Sequence, residues 1–306
     1  MNRVVFLLIP RLHLLDLAGP AQVFSTAGQL RPGYRLSYVA EAEEVLSAQG
    51  LPLRAEVDLP ALTSDDLIVI PGWRAPALRS TGPVGPAVLD WVRTHHAGGG
   101  TVASVCAGAD VLGRAGLLDG RRCTTHHDLQ DELARRYPRA SVVRNVLYTV
   151  DERVATSAGI ASGTDLALHL LAVRHGPGLA AQVAREMVVY ARRNGDEPQV
   201  SALLRYRSHL SDTVHRVQDL IDARFAEPLP LAELTACAGV SERTLTRLFE
   251  RATGRTPLRY QQLLRVERAE YLIDQGSTVE SAAHAVGFAD ARMLRRLRAR
   301  EDRVPL

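Results

Sequence analysis

The segment LAELTACAGVSERTLTRLFE, residues 231–250, constrains the fold of this chain more than any other part of the sequence. Leu231 and Leu234 give a first short helix an apolar face, and Gly239 allows a tight turn because it has no Cβ. Ser241 is suited to cap a second helix, since its hydroxyl can accept an N–H from the first turn. The pattern predicts two short helices joined by a glycine turn, which is typical of a helix-turn-helix that enters the DNA major groove.

The apolar and the basic residues of the second predicted helix fall on different faces. The apolar face is formed by Leu245, Leu248 and Phe249. Arg243, Arg247 and Arg251 recur every four residues, so they share another face of the helix. Arginine suits bidentate contact with phosphate or with a guanine edge. The residues predicted to contact DNA from this helix are Ser241, Arg243, Thr244 and Arg247.

The same pattern recurs later in the chain. Gly239-Val240 reappears as Gly287-Phe288 after 48 residues, and a predicted helix that begins near Pro257 separates the two copies. The same offset pairs Leu245 with Met293, Arg247 with Arg295 and Phe249 with Leu297. Two such units can place two reading helices in successive major grooves, about 34 Å apart. The residues predicted to contact DNA from the second copy are Asp290, Arg292, Arg295 and Arg296.

Basic residues are concentrated in these two copies. The formal net charge of the chain is only +3, but residues 241–259 hold five arginines and residues 288–300 hold five more. This clustering predicts double-stranded DNA as a partner. The segments AGVSERTLTRLFERATGRTP, LLRVERAEYLI and VESAAHAVGF resemble the AraC/XylS-type DNA-binding domain over roughly the last third of the chain.

The first two thirds of the sequence alternate between short apolar runs and helical patterns. Val4–Ile9, Leu67–Ile70 and Thr101–Val105 have the apolar character of strands buried on both faces of a parallel sheet. Pro20 is predicted to begin a helix, and His95-His96 are predicted to be solvent-exposed caps. The sequence thus predicts a doubly wound, mostly parallel α/β sheet followed by an all-α domain with two helix-turn-helix units. The predicted limits are 1–191 for the first domain, 192–208 for a polar linker and 209–306 for the DNA-binding domain.

A cysteine follows one of the predicted strands. The run Val-Ala-Ser-Val-Cys106-Ala107-Gly108 predicts a sharp strand-to-helix turn that presents Cys106 at the carboxyl edge of the sheet, as in a nucleophile elbow. The dipole and the free N–H groups of the following helix are expected to lower the pKa of the thiol. Gly72 follows another strand, and its N–H together with that of Ala107 would make an oxyanion-type pocket.

The segments DLAGPAQVF, IVIPGW, SVCAGADVLGRAGLLDGRRCTTHH and ATSAG resemble the ThiJ/PfpI group of the class I glutamine amidotransferase-like superfamily. The resemblance implies a flavodoxin-like fold, with Asp16 as the acid beside Cys106 and His126 as the histidine of a T-x-H segment. His126 and His127 are adjacent, so in extended backbone they should point opposite ways. The residues predicted to bind a small-molecule effector are Asp16, Gly72, Trp73, Cys106, Ala107 and His126.

The two resemblances together imply a transcriptional regulator that senses a small metabolite, and we expect a cytoplasmic homodimer. Three sparse cysteines fit a reducing compartment, and no pair has metal-ligand spacing, so neither a metal nor a cofactor is expected. No apolar run approaches the roughly 20 residues that span a bilayer. Two alternatives stay open. One is a cysteine-dependent enzyme, similar to isonitrile hydratases or amidases, with an appended DNA-binding domain. The other is a redox sensor in which Cys106 is oxidised.

Overall fold

The apolar runs predicted as strands pair into one sheet in the computed structural model, which describes residues 2–31, 33–74, 84–189, 193–197, 199, 206–207, 209–274 and 276–301. The chain divides into two units, Met1–Gln199 and Val200–Leu306. This division falls inside the segment 192–208 that the sequence predicts as a linker. The strands of the first unit are β1 Asn2–Leu7, β2 Tyr34–Val39, β3 Glu44–Leu46, β4 Pro52–Arg54, β5 Leu67–Ile70, β6 Thr101–Val105, β7 Arg122–Cys123, β8 Ser141–Val142, β9 Tyr148–Asp151 and β10 Val154–Ser157.

Six of these strands form the main sheet, in the order β2-β1-β5-β6-β10-β9. Neighbouring strands are parallel except β9 and β10, which are antiparallel. Every residue of β5 and β10 is buried, as expected where a parallel sheet is covered on both faces. The predicted mostly parallel α/β sheet is confirmed. The short strands β3 and β4 form a separate hairpin, and β7 and β8 form a separate parallel pair.

The first helix begins earlier than the sequence predicts. The helices of the first unit are α1 Leu14–Leu30, α2 Pro86–Ala97, α3 Ala109–Arg114, α4 Gln130–Arg136, α5 Ser162–His175 and α6 Pro177–Glu186. The prediction that Pro20 begins a helix is wrong, because Pro20 lies inside α1. Proline prefers a first turn, where its missing N–H costs nothing. Here Pro20 is buried and its ring lies close to Gly163 of α5.

The two histidines at the end of α2 are buried, so the prediction that they are solvent-exposed caps is wrong. His95 and His96 are 6% and 7% exposed. The glycine turn after α2 folds the chain back over the helix end, and His95 Nε2 lies 3.2 Å from the carbonyl oxygen of Thr101. Arg153 covers the same end, since its guanidinium donates to the carbonyl of His96 at 2.7 Å.

The second unit is helical and has two small apolar cores. Its helices are α7 Asp212–Ala223, α8 Leu231–Ala238, α9 Glu242–Thr253, α10 Pro257–Asp274, α11 Val279–Ala285 and α12 Ala291–Glu301. One core surrounds Leu245, Phe249 and Tyr260, and the other surrounds Val286 and Leu294. Each core belongs to one predicted helix-turn-helix, so the duplication is confirmed. None of the helices in the described ranges combines the length and the apolar character needed to cross a membrane.

The two copies differ by one residue in their turns. Gly239 and Gly287 both have positive φ values, 68° and 83°, so the 48-residue offset holds at the glycines. Ser241 caps α9, whereas α12 is capped by Asp290, whose carboxylate accepts the N–H groups of Arg292 and Met293. The offset is therefore 49 residues along the second helices. The predicted pairing after the turn is wrong by one position: Leu245 corresponds to buried Leu294, and Arg247 corresponds to Arg296.

Candidate functional site

Cys106 lies directly after β6, at the carboxyl edge of the sheet. Its φ is 54°, a left-handed value that costs a residue with a side chain about 1–3 kcal/mol. Residues Cys106–Gly108 form one turn of 3-10 helix that leads into α3. The sharp strand-to-helix turn is therefore present, and the backbone strain lies at the cysteine itself.

Two glycines hold the backbone closely around this cysteine. A Cβ at Gly72 would lie 2.6 Å from the Cys106 Cβ and 2.6 Å from Asp16 Oδ2. It would also lie 2.9 Å from the Ala107 nitrogen. A Cβ at Gly159 would lie 2.5 Å from the Cys106 Cβ and 3.0 Å from its Sγ. Gly72 and Gly159 follow β5 and β10, so three neighbouring parallel strands bring their carboxyl ends to one site.

Asp16 reaches the site from α1 and is fully buried. Its Oδ1 accepts the N–H of Ile160 at 2.7 Å, although 144 positions separate the two residues. Oδ2 is buried and has no hydrogen bond of ordinary geometry among the residues that the structure describes. Burial raises the pKa of Asp16, and the Ile160 N–H, the His13 imidazole and the Gly72 N–H lower it by less. The site therefore contains a buried carboxyl group whose second oxygen has no well-formed hydrogen bond.

The thiol of Cys106 is held in its protonated form. Burial raises its pKa to about 12, and the charges of Asp16 and Asp128 act in the same direction. The Ala107 N–H at the start of the turn lowers the pKa by less. The expectation that the helix start lowers this pKa is wrong, because desolvation outweighs a few N–H dipoles. A neutral thiol is a weak nucleophile, and it is also slow to oxidise.

Asp16→Asn is expected to change how the stability of the first unit depends on pH. Because burial raises the pKa of the Asp16 carboxyl, the folded state holds this proton more tightly than the unfolded chain. The resulting stability is complete below the ordinary pKa of 3.8 and is lost as the pH rises through the raised value. Thermal unfolding at pH 4 to 8 should show wild type losing stability relative to Asp16→Asn as pH rises. Parallel curves would show that Asp16 titrates normally.

His126 is half-buried and directly follows Thr125, whose hydroxyl donates to the Cys106 carbonyl. Its Nδ1 accepts the N–H of Asp128 at 3.4 Å, so His126 caps a short 3-10 helix. The rings of His126 and His127 are 4.2 Å apart and 32° from parallel. The expectation that they point opposite ways is therefore wrong, because the chain leaves the extended conformation here. Burial lowers the pKa of His126, and the neighbouring His127 adds to this effect.

These two histidines and Asp128 are the described residues that could hold a metal ion, a grouping that the sequence reasoning missed. One ligand atom from each lies within 4.8 Å of the others. His127 Nδ1 is 3.0 Å and His126 Nδ1 is 3.5 Å from the Asp128 carboxylate. The Nδ1 atoms of His126 and His127 thus both lie beside the Asp128 carboxylate. Adjacent His-His-Asp in the sequence is the signal that could have indicated it.

Other residues of the site were placed or revealed by the structure. Trp73 is half-buried, and its backbone forms an isolated antiparallel β-bridge with Leu12. Ala107 is buried in the turn that follows Cys106. Thr125 Oγ1 donates to the carbonyl oxygen of Cys106 at 2.8 Å. Gly159 belongs to the ATSAG segment, which supports the family resemblance, but its contact with the cysteine has no local signal in the sequence.

The predicted DNA-contact arginines are exposed on the second helix of each helix-turn-helix. They are Arg243, Arg247, Arg292, Arg295 and Arg296. Ser241 accepts the N–H of Thr244 and its Oγ lies 2.9 Å from Thr244 Oγ1, so both side chains take part in the cap. Asp290 has the same capping role in the second copy. These caps fix where each helix begins, and thereby which turn of the helix carries the arginines.

Arg265 joins the two copies, and the sequence reasoning did not single it out. Its guanidinium donates to the carbonyl oxygens of Phe225, Glu227 and Gly287, at 2.6 to 2.8 Å. It also lies over the ring of Phe288, with 5.6 Å to the centroid. Arg265 is therefore a structural arginine that ties the turn before α8 to the turn of the second copy.

The fold and these two sites define a class of protein, in which an α/β unit with a cysteine elbow is joined to a helix-turn-helix unit. Residues 2–173 match the DJ-1/PfpI family, and residues 234–302 match a helix-turn-helix domain. The chain belongs to the DJ-1/PfpI family and carries the helix-turn-helix domain of AraC-type transcriptional regulators. Both resemblances drawn from the sequence are confirmed.

Individual relatives agree with this assignment. The chain is 30% identical to the HTH-type transcriptional regulator CdhR of Pseudomonas aeruginosa over 287 residues, which cover 92% of this chain and 84% of that protein. It is 35% identical to the isonitrile hydratase of Pseudomonas putida over 174 residues, which cover 55% of this chain and 70% of that protein. The crystal structure of an AraC family transcriptional regulator from Pseudomonas putida matches with a TM-score of 0.53 at 26% identity, over 61% of this chain and 100% of that chain.

Proposed function

We propose that this transcriptional regulator binds double-stranded DNA through α9 and α12 and binds a small effector beside Cys106. The observation that carries the DNA proposal is the exposure of arginines at matching positions of two capped helices. Arg243 and Arg247 correspond to Arg292 and Arg296, so both helices present the same pair of side chains. Such a pair can reach phosphates and guanine edges in two successive major grooves. A DNA partner also supports the expected cytoplasmic location.

The effector that suits the first unit is a small molecule with an amide-like group. Asp16 Oδ2, which lacks a well-formed hydrogen bond, can accept when the carboxyl is ionised and donate when it is protonated. The Ala107 nitrogen lies near the same point, since a Cβ at Gly72 would be 2.9 Å from it and 2.6 Å from Asp16 Oδ2. An amide can donate to the carboxylate and accept from the backbone at the same time. A neutral thiol beside it favours non-covalent binding.

We also propose that the protein acts as a homodimer through its first unit. Leu15, Leu46 and Leu51 are 49%, 54% and 50% exposed, so three large apolar side chains of this unit face solvent. Leu46 and Leu51 lie on the β3–β4 hairpin, and Leu15 lies at the start of α1. The Gln49 side chain at the tip of the hairpin accepts the N–H of Leu14. A symmetric dimer would require paired half-sites in the DNA.

Arg247→Ala is expected to weaken binding to a specific DNA site by about 1–3 kcal/mol, because one bidentate contact with a base edge is lost. The site is first selected from a random oligonucleotide pool with wild-type protein. Fluorescence anisotropy at fixed salt then gives the dissociation constants. Arg216→Ala is the matched control, since Arg216 is an exposed arginine on α7, outside both reading helices. Equal affinity for all three proteins would remove Arg247 from the contact surface.

The second candidate function is a cysteine-dependent enzyme, favoured by the elbow at Cys106 and by the similarity to an isonitrile hydratase. We expect the full chain to show no hydration of alkyl isonitriles at pH 7, because the protonated thiol is a weak nucleophile. Product formation is followed by mass spectrometry. Turnover that disappears in Cys106→Ser would establish the enzyme instead.

A further inference from the structure

The chain leaves the first unit along the edge of its sheet. We call the described residues 193–197 and 199 the strap. The N–H of Leu147 donates to the carbonyl of Glu197 at 3.0 Å, and that of Tyr148 donates to the carbonyl of Gly195 at 3.1 Å. The strap thus runs beside the edge strand β9. Gln199 is the last residue of the first unit, and the chain continues from it into the second.

The start of the strap is anchored by an ion pair between the half-buried Arg193 and a buried carboxylate. The Arg193 guanidinium donates to Asp165 Oδ2 at 3.0 and 2.7 Å, and the backbone N–H of Arg193 donates to Oδ1 at 3.0 Å. Asp165 is 4% exposed. Gly195 lies directly against Tyr148, where a Cβ would be 2.7 Å from the Tyr148 carbonyl oxygen. This end of the strap is firmly held.

The end of the strap is held differently, by one side-chain amide that reaches the effector site. Gln199 Nε2 donates to the carbonyl of Thr125 at 2.9 Å and to that of Val146 at 2.8 Å. Thr125 is also the residue whose hydroxyl donates to the carbonyl of Cys106. Gln199 Oε1 is buried with no partner within the described part of the chain. One residue therefore separates Gln199 from the strained cysteine.

We propose that Gln199 is a positioning residue that couples occupancy of the Cys106 site to the connection between the two units. A group bound beside Cys106 displaces Thr125, and the Thr125 carbonyl then withdraws from Gln199 Nε2. The end of the strap is then held only by the Val146 carbonyl and, at 3.4 Å, the Thr124 hydroxyl, while Arg193 still anchors its start. An effector that favours one of these two states shifts the balance between them. This inference rests on the proposed effector site.

The test uses a small covalent occupant as the probe. Methyl methanethiosulfonate is applied to the full chain carrying Cys237→Ser, at pH 8.5. The small fraction of Cys106 present as thiolate attacks the sulfenyl sulfur, so that Cys106 carries an S–S–CH₃ group, methanesulfinate leaves and the thiol proton passes to solvent; long incubation with excess reagent drives the reaction to completion. Mass spectrometry confirms the modification, and dithiothreitol reverses it. In the Cys106→Met variant, the longer side chain takes the place of the bound group, so this second occupant needs no reaction.

The readout is hydrogen exchange at the Leu147 and Tyr148 amides, whose acceptors lie on the strap. Either occupant should raise exchange there by about tenfold, because the strap opens more often. Gln199→Ala and Gln199→Glu should show high exchange without any occupant and no further response. The Glu variant keeps the size of the side chain but lacks the two N–H donors.

Gln130→Ala is the matched control. Gln130 Nε2 also donates to the Thr125 carbonyl, at 3.3 Å, but from α4 rather than from the strap. This variant should retain the response. An unchanged response in both Gln199 variants, no response in wild type, or an equal loss in Gln130→Ala would overturn the coupling. DNA affinity of the unmodified protein is measured separately, so failure here leaves the DNA-binding proposal standing.

Discussion

Gly287→Ala is expected to destabilise the second helix-turn-helix by about 3 kcal/mol or more, through backbone strain and steric overlap together. The φ of Gly287 is 83°, a conformation that alanine adopts only with strain. A Cβ at this position would also overlap the carbonyl oxygen of Ala226. Because that carbonyl belongs to the turn held by Arg265, it cannot move aside without breaking the junction between the copies. Urea unfolding followed by circular dichroism measures the loss.

The corresponding glycine of the first copy provides the control. Gly239 has a φ of 68°, but no atom lies within 4 Å of the place where its Cβ would stand. Gly239→Ala should therefore cost only the strain of the left-handed conformation, about 1 kcal/mol. Similar losses in the two variants would mean that the overlap with Ala226 is relieved cheaply. The close packing of Gly287 against the 225–227 turn would then not hold the second copy in place.

The two copies also show which features the sequence can predict. The helix-turn-helix units were predictable because their signals are local: a turn glycine, a capping residue and an apolar face lie within twenty residues of one another. The second cap also had a local signal, because Asp290 is a preferred capping residue, but the 48-residue offset at the glycines concealed it and the structure shows Asp290 accepting the helix N–H groups. A difference of one residue was enough to exchange Arg295 for Arg296 as the counterpart of Arg247.

The sequence predicted which residues form the site around Cys106, but it did not predict the pKa of the thiol. The motif places a cysteine after a strand, and the family resemblance adds Asp16. Desolvation by the surrounding core decides the sign of the pKa shift of the thiol, and it depends on contacts from distant parts of the chain. The hydrogen bond between Ile160 and Asp16, and that between Gln199 and Thr125, likewise join residues 144 and 74 positions apart. No short sequence pattern indicates hydrogen bonds between residues so far apart.

Leu245→Ala and Leu294→Ala are each expected to destabilise their own core by about 2–5 kcal/mol, the usual cost of this truncation at a buried site. Both leucines are fully buried, and they occupy corresponding positions in the two copies. The cores are separate clusters, and Phe225 is the residue described as packing against both. Leu245→Ala should therefore raise hydrogen exchange mainly in residues 242–253, and Leu294→Ala mainly in residues 291–301.

The pair of leucine variants is its own control, because the chemistry and the burial of the two substitutions are the same. If the cores fold as one, both variants will raise exchange equally in both reading helices, and the separation proposed here is wrong. If they are separate, each variant will retain the arginines of the other copy on a folded helix. Each should then still bind DNA through one half of its contact surface, with the salt dependence of affinity reduced because fewer phosphates are contacted.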